Sequence, residues 1–210
     1  IAMDKDLTKP LVAGQVKTPR WETVTVTEEN LEELAERVEL PAVIKPNASG
    51  SSVGVYIAKT RADLRGALES SARAGGSVVI EEYIQGREVS VAVLGGKALP
   101  SIEIVPKSGF YDYSNKYQPG ATTETCPAHI SSALEKAVGD AALAVFEAIG
   151  LSVYARADFM IAPDETPYFL EINTLPGMTP TSLVPQEAAA AGMDYGVLCE
   201  TIIQKSLEAR

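Results

Sequence analysis

The chain has 210 residues, 46% hydrophobic and 22% charged, an ordinary balance for a globular protein with enough material for one large domain or two small ones. A formal charge of −10 argues against non-specific nucleic-acid binding, which needs a cationic surface. There is neither an apolar run long enough to span a membrane nor a signal-peptide pattern, so no membrane partner and a cytoplasmic location are expected.

The first strand-like run is "ETVTV". A helix is expected from Thr27 through "TEENLEELAERV", with acids in its first turn and Leu31, Leu34 and Val38 on one face. The strand "PAVIK" then runs into "KPNASGSSVG", a loop with few large side chains and one fixed positive charge, Lys45. Small residues let backbone N–H groups approach an anion closely. The loop lacks the Gly-Lys-Ser/Thr ending of a Walker loop and is followed by the strand "VGVYIA". It is therefore expected as a hairpin tip, either a plain turn or a grip on phosphate.

Thr60 and Asp63 form a capping-box pattern ahead of Leu64 and Leu68, and Gly75-Gly76 supplies the turn. The strands "SVVIEEYI", "EVSVAVL" and "LPSIEIV" follow, and "IQGRE" (84–88) between the first two is the expected joint of two subdomains. Glu81, Glu82 and Glu88 flank it. They are either solvated charge or acceptors for a ligand, since clefts at domain joints favour binding. Residues 106–125 are long, polar and aromatic without apolar periodicity, as expected of a lid or a disordered loop. A helix capped by Ser132 and Glu135 buries Leu134, Val138, Ala141 and Val145 and stops at Gly150. A last helix follows Asp194, with Leu198 and Ile202 inward and Lys205 and Arg210 near its negative end. Strands and helices mix without strict βαβ alternation, so an α+β (mixed α/β) fold with antiparallel strand pairs is predicted.

"VYARADFMIAPDETPYFLEIN" carries the most specific pattern. If a hairpin closes symmetrically about Pro163-Asp164-Glu165-Thr166, Asp158 lies opposite Glu171 and Arg156 opposite Asn173. Period-two alternation puts all four on one face. Facing acids repel unless a cation bridges them, and oxygen ligands from Asp, Glu and Asn suit Mg²⁺ sharing its shell with phosphates. Arg156 beside them could hold developing negative charge. The bland alternative is a solvated hairpin face. Cys126 and Cys199 lack metal or disulfide spacing, and the single His129 excludes a histidine-based triad within the chain.

Together "MDKDLTK", "VIKPNASGSSVGV", "VVIEEYIQGRE", "FYDYSNKY", "ARADFMI" and "FLEINTLPGMTPTSLVP" resemble the ATP-grasp ligases, and closely the D-alanine–D-alanine ligases, over essentially the whole chain. The resemblance implies a nucleotide clamped between two α+β subdomains, residues 1–85 and 86–210, with a lid at 106–125. Lys5 and Lys45 would contact ATP phosphates, covered by Ser52 and the glycine-loop backbone. Glu81 would take the adenine amino group, Glu82 and Ile84 would offer backbone to the purine, and Glu88 would bind ribose. Asp158, Glu171 and Asn173 would hold two Mg²⁺ ions, which Mn²⁺ could replace.

The implied reaction joins two D-alanines through a D-alanyl phosphate for peptidoglycan precursor synthesis. Arg156 and the Gly177 N–H would stabilise developing charge. Ser182, the Leu183 N–H and Lys116 would fix the second substrate's carboxylate, and Ser51 and Tyr117 would order the lid. The resemblance gives the lid of the D-alanine–D-lactate enzymes a histidine, and residues 106–125 contain none, which favours an amine acceptor. The family's upstream Rossmann-like domain has no counterpart before Ile1, so a truncated chain is expected, with a homodimer left to the full-length protein. The alternatives are a D-alanine–D-lactate or D-alanine–D-serine ligase, a catalytically incomplete ATP-binding fragment, and a phosphotransferase on the same scaffold.

Overall fold

The computed structural model describes residues 1–50, 52–107 and 122–209. Two antiparallel sheets part between Glu82 and Arg87, a break that overlaps residues 84–88. The first, in spatial order β1-β4-β2-β3, contains β1 (Trp21–Thr25), β2 (Ala42–Pro46), β3 (Tyr56–Ala58) and β4 (Ser77–Glu82). Ala42 and Ile44 of β2 and Val78 and Ile80 of β4 pack against Leu34 of α2 (Leu31–Arg37) and Leu64 and Leu68 of α3 (Arg61–Ala74). Alternation along the strands then sends Val43, Lys45 and Glu81 to the opposite face, where they line a cleft.

The second sheet has the order β10-β9-β5-β7-β8, with β6 beside β5. Its strands are β5 (Arg87–Leu94), β6 (Lys97–Ala98), β7 (Ile102–Pro106), β8 (Thr122–Thr125), β9 (Tyr154–Ile161) and β10 (Pro167–Asn173). One face packs Val89, Val91, Val93, Phe159 and Phe169 under Leu134, Val138, Val145 and Phe146 of α4 (Ser132–Ala148). On the other face Ala92 and Leu94 meet Val184 and Ala188 of α5 (Leu183–Ala190) and Leu198 of α6 (Tyr195–Glu208). The described strand pairs are all antiparallel, in keeping with the α+β expectation. The preceding helix α1 (Lys5–Val12) buries Val12 in the α4 core, so the first subdomain by sequence contributes to the second core.

Local signals mostly act where expected. Thr60 and Asp63 form the reciprocal capping box of α3, and Asp194 caps α6. The helix expected from Thr27 instead starts at Leu31, because the Thr27 N–H donates to Asn30 Oδ1 at 2.8 Å and closes a turn first. Ser131, not Ser132, caps α4, and Glu135 accepts from the Ser101 N–H at 2.8 Å rather than completing a box. The end of the expected 106–125 loop is strand: Thr122–Thr125 pair with Glu103–Pro106 as the edge strand β8. Ser51, Lys116 and Tyr117 lie outside the described residues.

Candidate active site

Helix α1 is turned the unexpected way out. Leu7 and Leu11 are exposed, whereas Lys5 and Lys9 are 7% and 1% exposed. Burying lysines while exposing leucines costs free energy unless the ammoniums find partners. Here they do. Lys5 Nζ donates to Ser49 O at 3.0 Å and lies 3.5 Å from Glu171 Oε2, and Lys9 Nζ lies 2.9 Å from Glu81 Oε1. Asn47 fastens the start of the glycine loop to the helix: its Oδ1 accepts from the Asp6 N–H at 2.9 Å and its Nδ2 donates to Asp4 Oδ1 at 3.0 Å.

Lys45, from the end of β2, reaches Glu81 Oε2 at 2.8 Å, so one buried carboxylate is ion-paired with two ammoniums, and the Lys9–Oε1 contact is a charge pairing without hydrogen-bond geometry. Burial pushes the Glu81 pKa up, but Lys45 and Lys9 outweigh it and hold the group below the usual carboxylate range. Burial likewise lowers Lys5 and Lys9, with Glu171 and Glu81 pulling back in each case. Ser52, at the loop tip, has φ +56°, a left-handed conformation that costs free energy in a non-glycine residue. Gly54 packs against the Pro46 ring, which a Cβ would approach to 2.9 Å.

The β9–β10 hairpin supplies the facing wall. Asp158 pairs with Glu171 and Arg156 with Asn173, as the sequence pattern predicts. The route differs from the expected one. The loop closes on three residues, Pro163 to Glu165, with Glu165 at φ +62° and the Ala162 N–H donating to Thr166 O at 2.9 Å. Phe169 thus pairs with Phe159, and a bulge between Phe169 and Glu171 restores the predicted register beyond it. Leu170 and Glu171 consequently both line the cleft.

Arg156 Nε and Nη2 donate to Asp158 Oδ1 and Oδ2 at 2.8 Å each, and the Ser90 hydroxyl donates to Oδ1 at 2.8 Å. Burial works against the Arg156 charge, but Asp158 more than offsets it and raises its pKa. Behind this pair Glu187 of α5 is fully buried, with Oε2 accepting from the Ala92 N–H. Burial pushes its pKa well above the ordinary value.

Among the predicted residues, Lys5, Lys45, Ser52, Glu81, Glu82, Ile84, Glu88, Asp158 and Glu171 line one cleft between the sheets. The Glu82 N–H donates to Arg20 O at 2.9 Å, and its carboxylate meets Arg20 Nε at 3.0 Å. Asn173 Oδ1 accepts from the Leu175 N–H at 3.1 Å. Gly177, Ser182 and Leu183 follow β10 and are outside that lining; a Cβ on Gly177 would come within 2.9 Å of Ser182 Oγ, which accepts from the Thr179 N–H at 3.1 Å. Sequence reasoning missed Lys9, whose only signal is its spacing of four from Lys5 on a short helix. It also missed α5 and Glu187.

The donor set of Asp158, Glu171 and Asn173 is all oxygen and fits Mg²⁺. Among the described residues no three His, Cys, Asp or Glu side chains are grouped to hold a metal, so a site here would need its third oxygen from Asn173, which lies outside the cleft lining. The facing carboxylates are compensated by Arg156 and Lys5. Cys126 is no candidate nucleophile, since burial first and nearby acids second push its thiol up to about 12.

The family described as "D-ala D-ala ligase C-terminus" matches residues 13–204. A D-alanine–D-alanine ligase of Desulfotalea psychrophila is 44% identical over 99% of the chain, which spans 67% of that relative. One from Anaeromyxobacter is 51% identical over 78% of the chain, with the match spanning 53% of it. The structure of the Bacillus anthracis D-alanine–D-alanine ligase covers the whole chain at 40% identity with TM-score 0.86, and the chain covers 68% of it. The VanG D-Ala:D-Ser ligase of Enterococcus faecalis covers 97% at 31% identity with TM-score 0.81, and the chain covers 61% of it. These agreements in sequence and fold place the chain in the D-alanine–D-alanine ligase family, where it corresponds to the C-terminal part with the ATP-grasp fold.

Proposed function

We propose that the chain binds Mg²⁺·ATP in the cleft between its sheets and carries the ligation chemistry that joins two D-alanines for peptidoglycan precursor synthesis. One observation carries this reading: Lys5, Lys45, Glu81, Asp158 and Glu171, from two sheets and a helix, line the same cleft. Cations for phosphate and oxygen ligands for Mg²⁺ thereby meet at one place. The relatives named as D-alanine–D-alanine ligases support the substrate class, and a Bacillus anthracis ligase structure described as complexed with ATP supports the nucleotide.

In this reading Lys5 and Lys45 bind phosphate oxygens, Glu88 binds the ribose, and the chain around Glu82 and Ile84 reads the purine edge. Glu81, expected to take the adenine amino group, has its two carboxylate oxygens against Lys9 and Lys45, and in this reading its side chain holds Lys45 instead. Asp158, Glu171 and Asn173 hold two Mg²⁺ ions, or Mn²⁺ in their place, which would neutralise the triphosphate. The carboxylate oxygen of the first D-alanine attacks the γ-phosphorus and ADP leaves. The amine of the second attacks the acyl carbon, inorganic phosphate departs, and the amine gives up its proton. Arg156 and the Gly177 N–H take the developing negative charge, while Ser182 and the Leu183 N–H hold the second carboxylate. Ser51 and Tyr117 order the proposed lid at 106–125, which excludes water from the acylphosphate, and Lys116 joins Ser182 and Leu183 at the second carboxylate.

Calorimetry with Mg²⁺·ATP tests the first half; saturable binding that needs Mg²⁺ is expected. ADP release measured with D-alanine, D-lactate and D-serine tests the second. Release that ignores the D-amino acid would rule out the ligase.

A further inference from the structure

We infer that Lys9 is a positioning residue that sets the charge of the phosphate site: by neutralising Glu81 from behind, it leaves Lys45 with positive charge to offer a polyphosphate. This deepens the nucleotide reading and rests on it.

Glu81 is held between Lys9 at 2.9 Å and Lys45 at 2.8 Å, with both its side chain and that of Lys9 almost wholly buried. Lys45 lines the cleft and Lys9 does not, and at 1% exposure Lys9 cannot touch a ligand. Its ammonium lies 5.2 Å from the centroid of the Trp21 ring, which shields it further from water. A buried carboxylate needs only one ammonium for neutrality. The second costs desolvation and repels the first: burial disfavours the Lys9 charge most, Glu81 opposes that, and Lys45 and Lys5 add to the penalty. An arrangement so unfavourable in isolation marks a functional site.

The balance identifies the ligand it suits. Counting only the ion-paired lysines and their partners, the cluster sets Lys5, Lys9 and Lys45 against Glu81 and Glu171, and one positive charge is left over. Asp158 and Glu82 are taken up by Arg156 and Arg20, and Glu88 stands apart from these pairs. Without Lys9 the cluster would keep none, and Lys45 would be consumed in a one-to-one pair with Glu81. The charge completing the cluster is anionic and arrives on the Lys45 side, as a phosphate chain would.

The test is the ratio of Mg²⁺·ATP affinity to adenosine affinity, measured by calorimetry on the protein and its variants. Adenosine shares the base and sugar but not the phosphates, so a general disturbance of the cleft moves both affinities and leaves the ratio alone. Lys9→Met is expected to lower the ratio by about tenfold to a hundredfold, the effect of one unit charge several ångströms away at an effective dielectric of about 20. The double variant Lys9→Met/Glu81→Gln removes one charge of each sign and should return the ratio to within about threefold of the parent. Glu81→Gln alone should raise it. An unchanged ratio in Lys9→Met, or no recovery in the double variant, overturns the inference. If Lys9→Met fails to fold, Glu81→Gln decides, and a ratio that stays level or falls overturns it. A parent protein showing no preference for Mg²⁺·ATP over adenosine would sink the nucleotide reading itself and the inference with it, a result distinct from a parental preference that Lys9→Met leaves intact.

Discussion

Arg156 grips both carboxylate oxygens of Asp158 at 2.8 Å from two positions along the same strand. The pair is nearly buried, with side chains 12% and 9% exposed. Glu171, opposite Asp158, is 32% exposed and 3.5 Å from Lys5. These two proposed metal ligands should therefore respond differently to loss of charge. Asp158→Asn strands a buried guanidinium and should cost about 3–5 kcal/mol of folding stability. Glu171→Gln removes the charge partner of the buried Lys5 but leaves its bond to Ser49 O, and should cost less, about 1–3 kcal/mol. Both should lose the Mg²⁺ dependence of ATP binding. Denaturant titration alongside calorimetry checks this, and equal ATP affinity in the parent and Glu171→Gln would undo the metal assignment.

Glu187 predicts a dependence of stability on pH. Burial is the main cause of its raised pKa, and Asp158 and Glu135 add to it while the Ala92 N–H and Arg156 oppose it. Above the ordinary carboxylate range the unfolded chain has lost this proton and the folded chain keeps it, so stability falls as pH rises through that window. Below the ordinary pKa both states are protonated and the penalty vanishes. Glu187→Gln keeps the shape of the neutral acid without the proton equilibrium. It should match the parent near pH 4 and exceed it in urea midpoint at pH 7–8. A parent that gains relative to the variant as pH rises would show that Glu187 is folded as a carboxylate.

The hairpin shows how much of the site is legible in sequence and why the rest is not. Alternation legibly keeps Asp158 and Phe159 on opposite faces, but the assumed four-residue turn is one residue too long, and Asp158 meets Glu171 only because the bulge makes up the difference. The three-residue loop and the compensating bulge are not legible: the loop needs Glu165 in a left-handed conformation, which its identity does not signal. Lys9 is hidden for a different reason. Two lysines four apart on a short helix ordinarily mark a solvated stripe, and only the arrival of Glu81 from β4 makes burial favourable. The edge strand β8 is missed because its polar residues are only partly buried, so no apolar alternation develops.

The same loop yields a stabilising prediction. Glu165 is exposed and adopts φ +62°, where a side chain carries a steric cost of about 1–2 kcal/mol that glycine avoids. Glu165→Gly should stabilise by roughly 0.5–1 kcal/mol once glycine's greater unfolded-state entropy is subtracted. A thermal midpoint below that of the parent would show that the Glu165 side chain makes a compensating contact.

Gly86, at the joint, should respond in the opposite sense. An added Cβ would lie 2.0 Å from Ile161 O and 2.7 Å from Ile161 C, both backbone atoms that cannot swing aside. The next residue, Arg87, pairs with Ile161 in the ladder, so the strain falls where the second sheet begins. Overpacking of this kind costs about 1–3 kcal/mol and more when backbone must move. Because Ile84 and Glu88 flank the joint and line the cleft, ATP affinity should fall together with stability. Gly66 provides the control. It is an exposed position inside α3 where an added Cβ would meet open space, and Gly66→Ala should stabilise by about 0.5–1 kcal/mol and leave ATP binding unchanged. A Gly86→Ala variant as stable as the parent would mean that the joint can separate from β9 without loss, and the two sheets would then not be fixed against each other at this point.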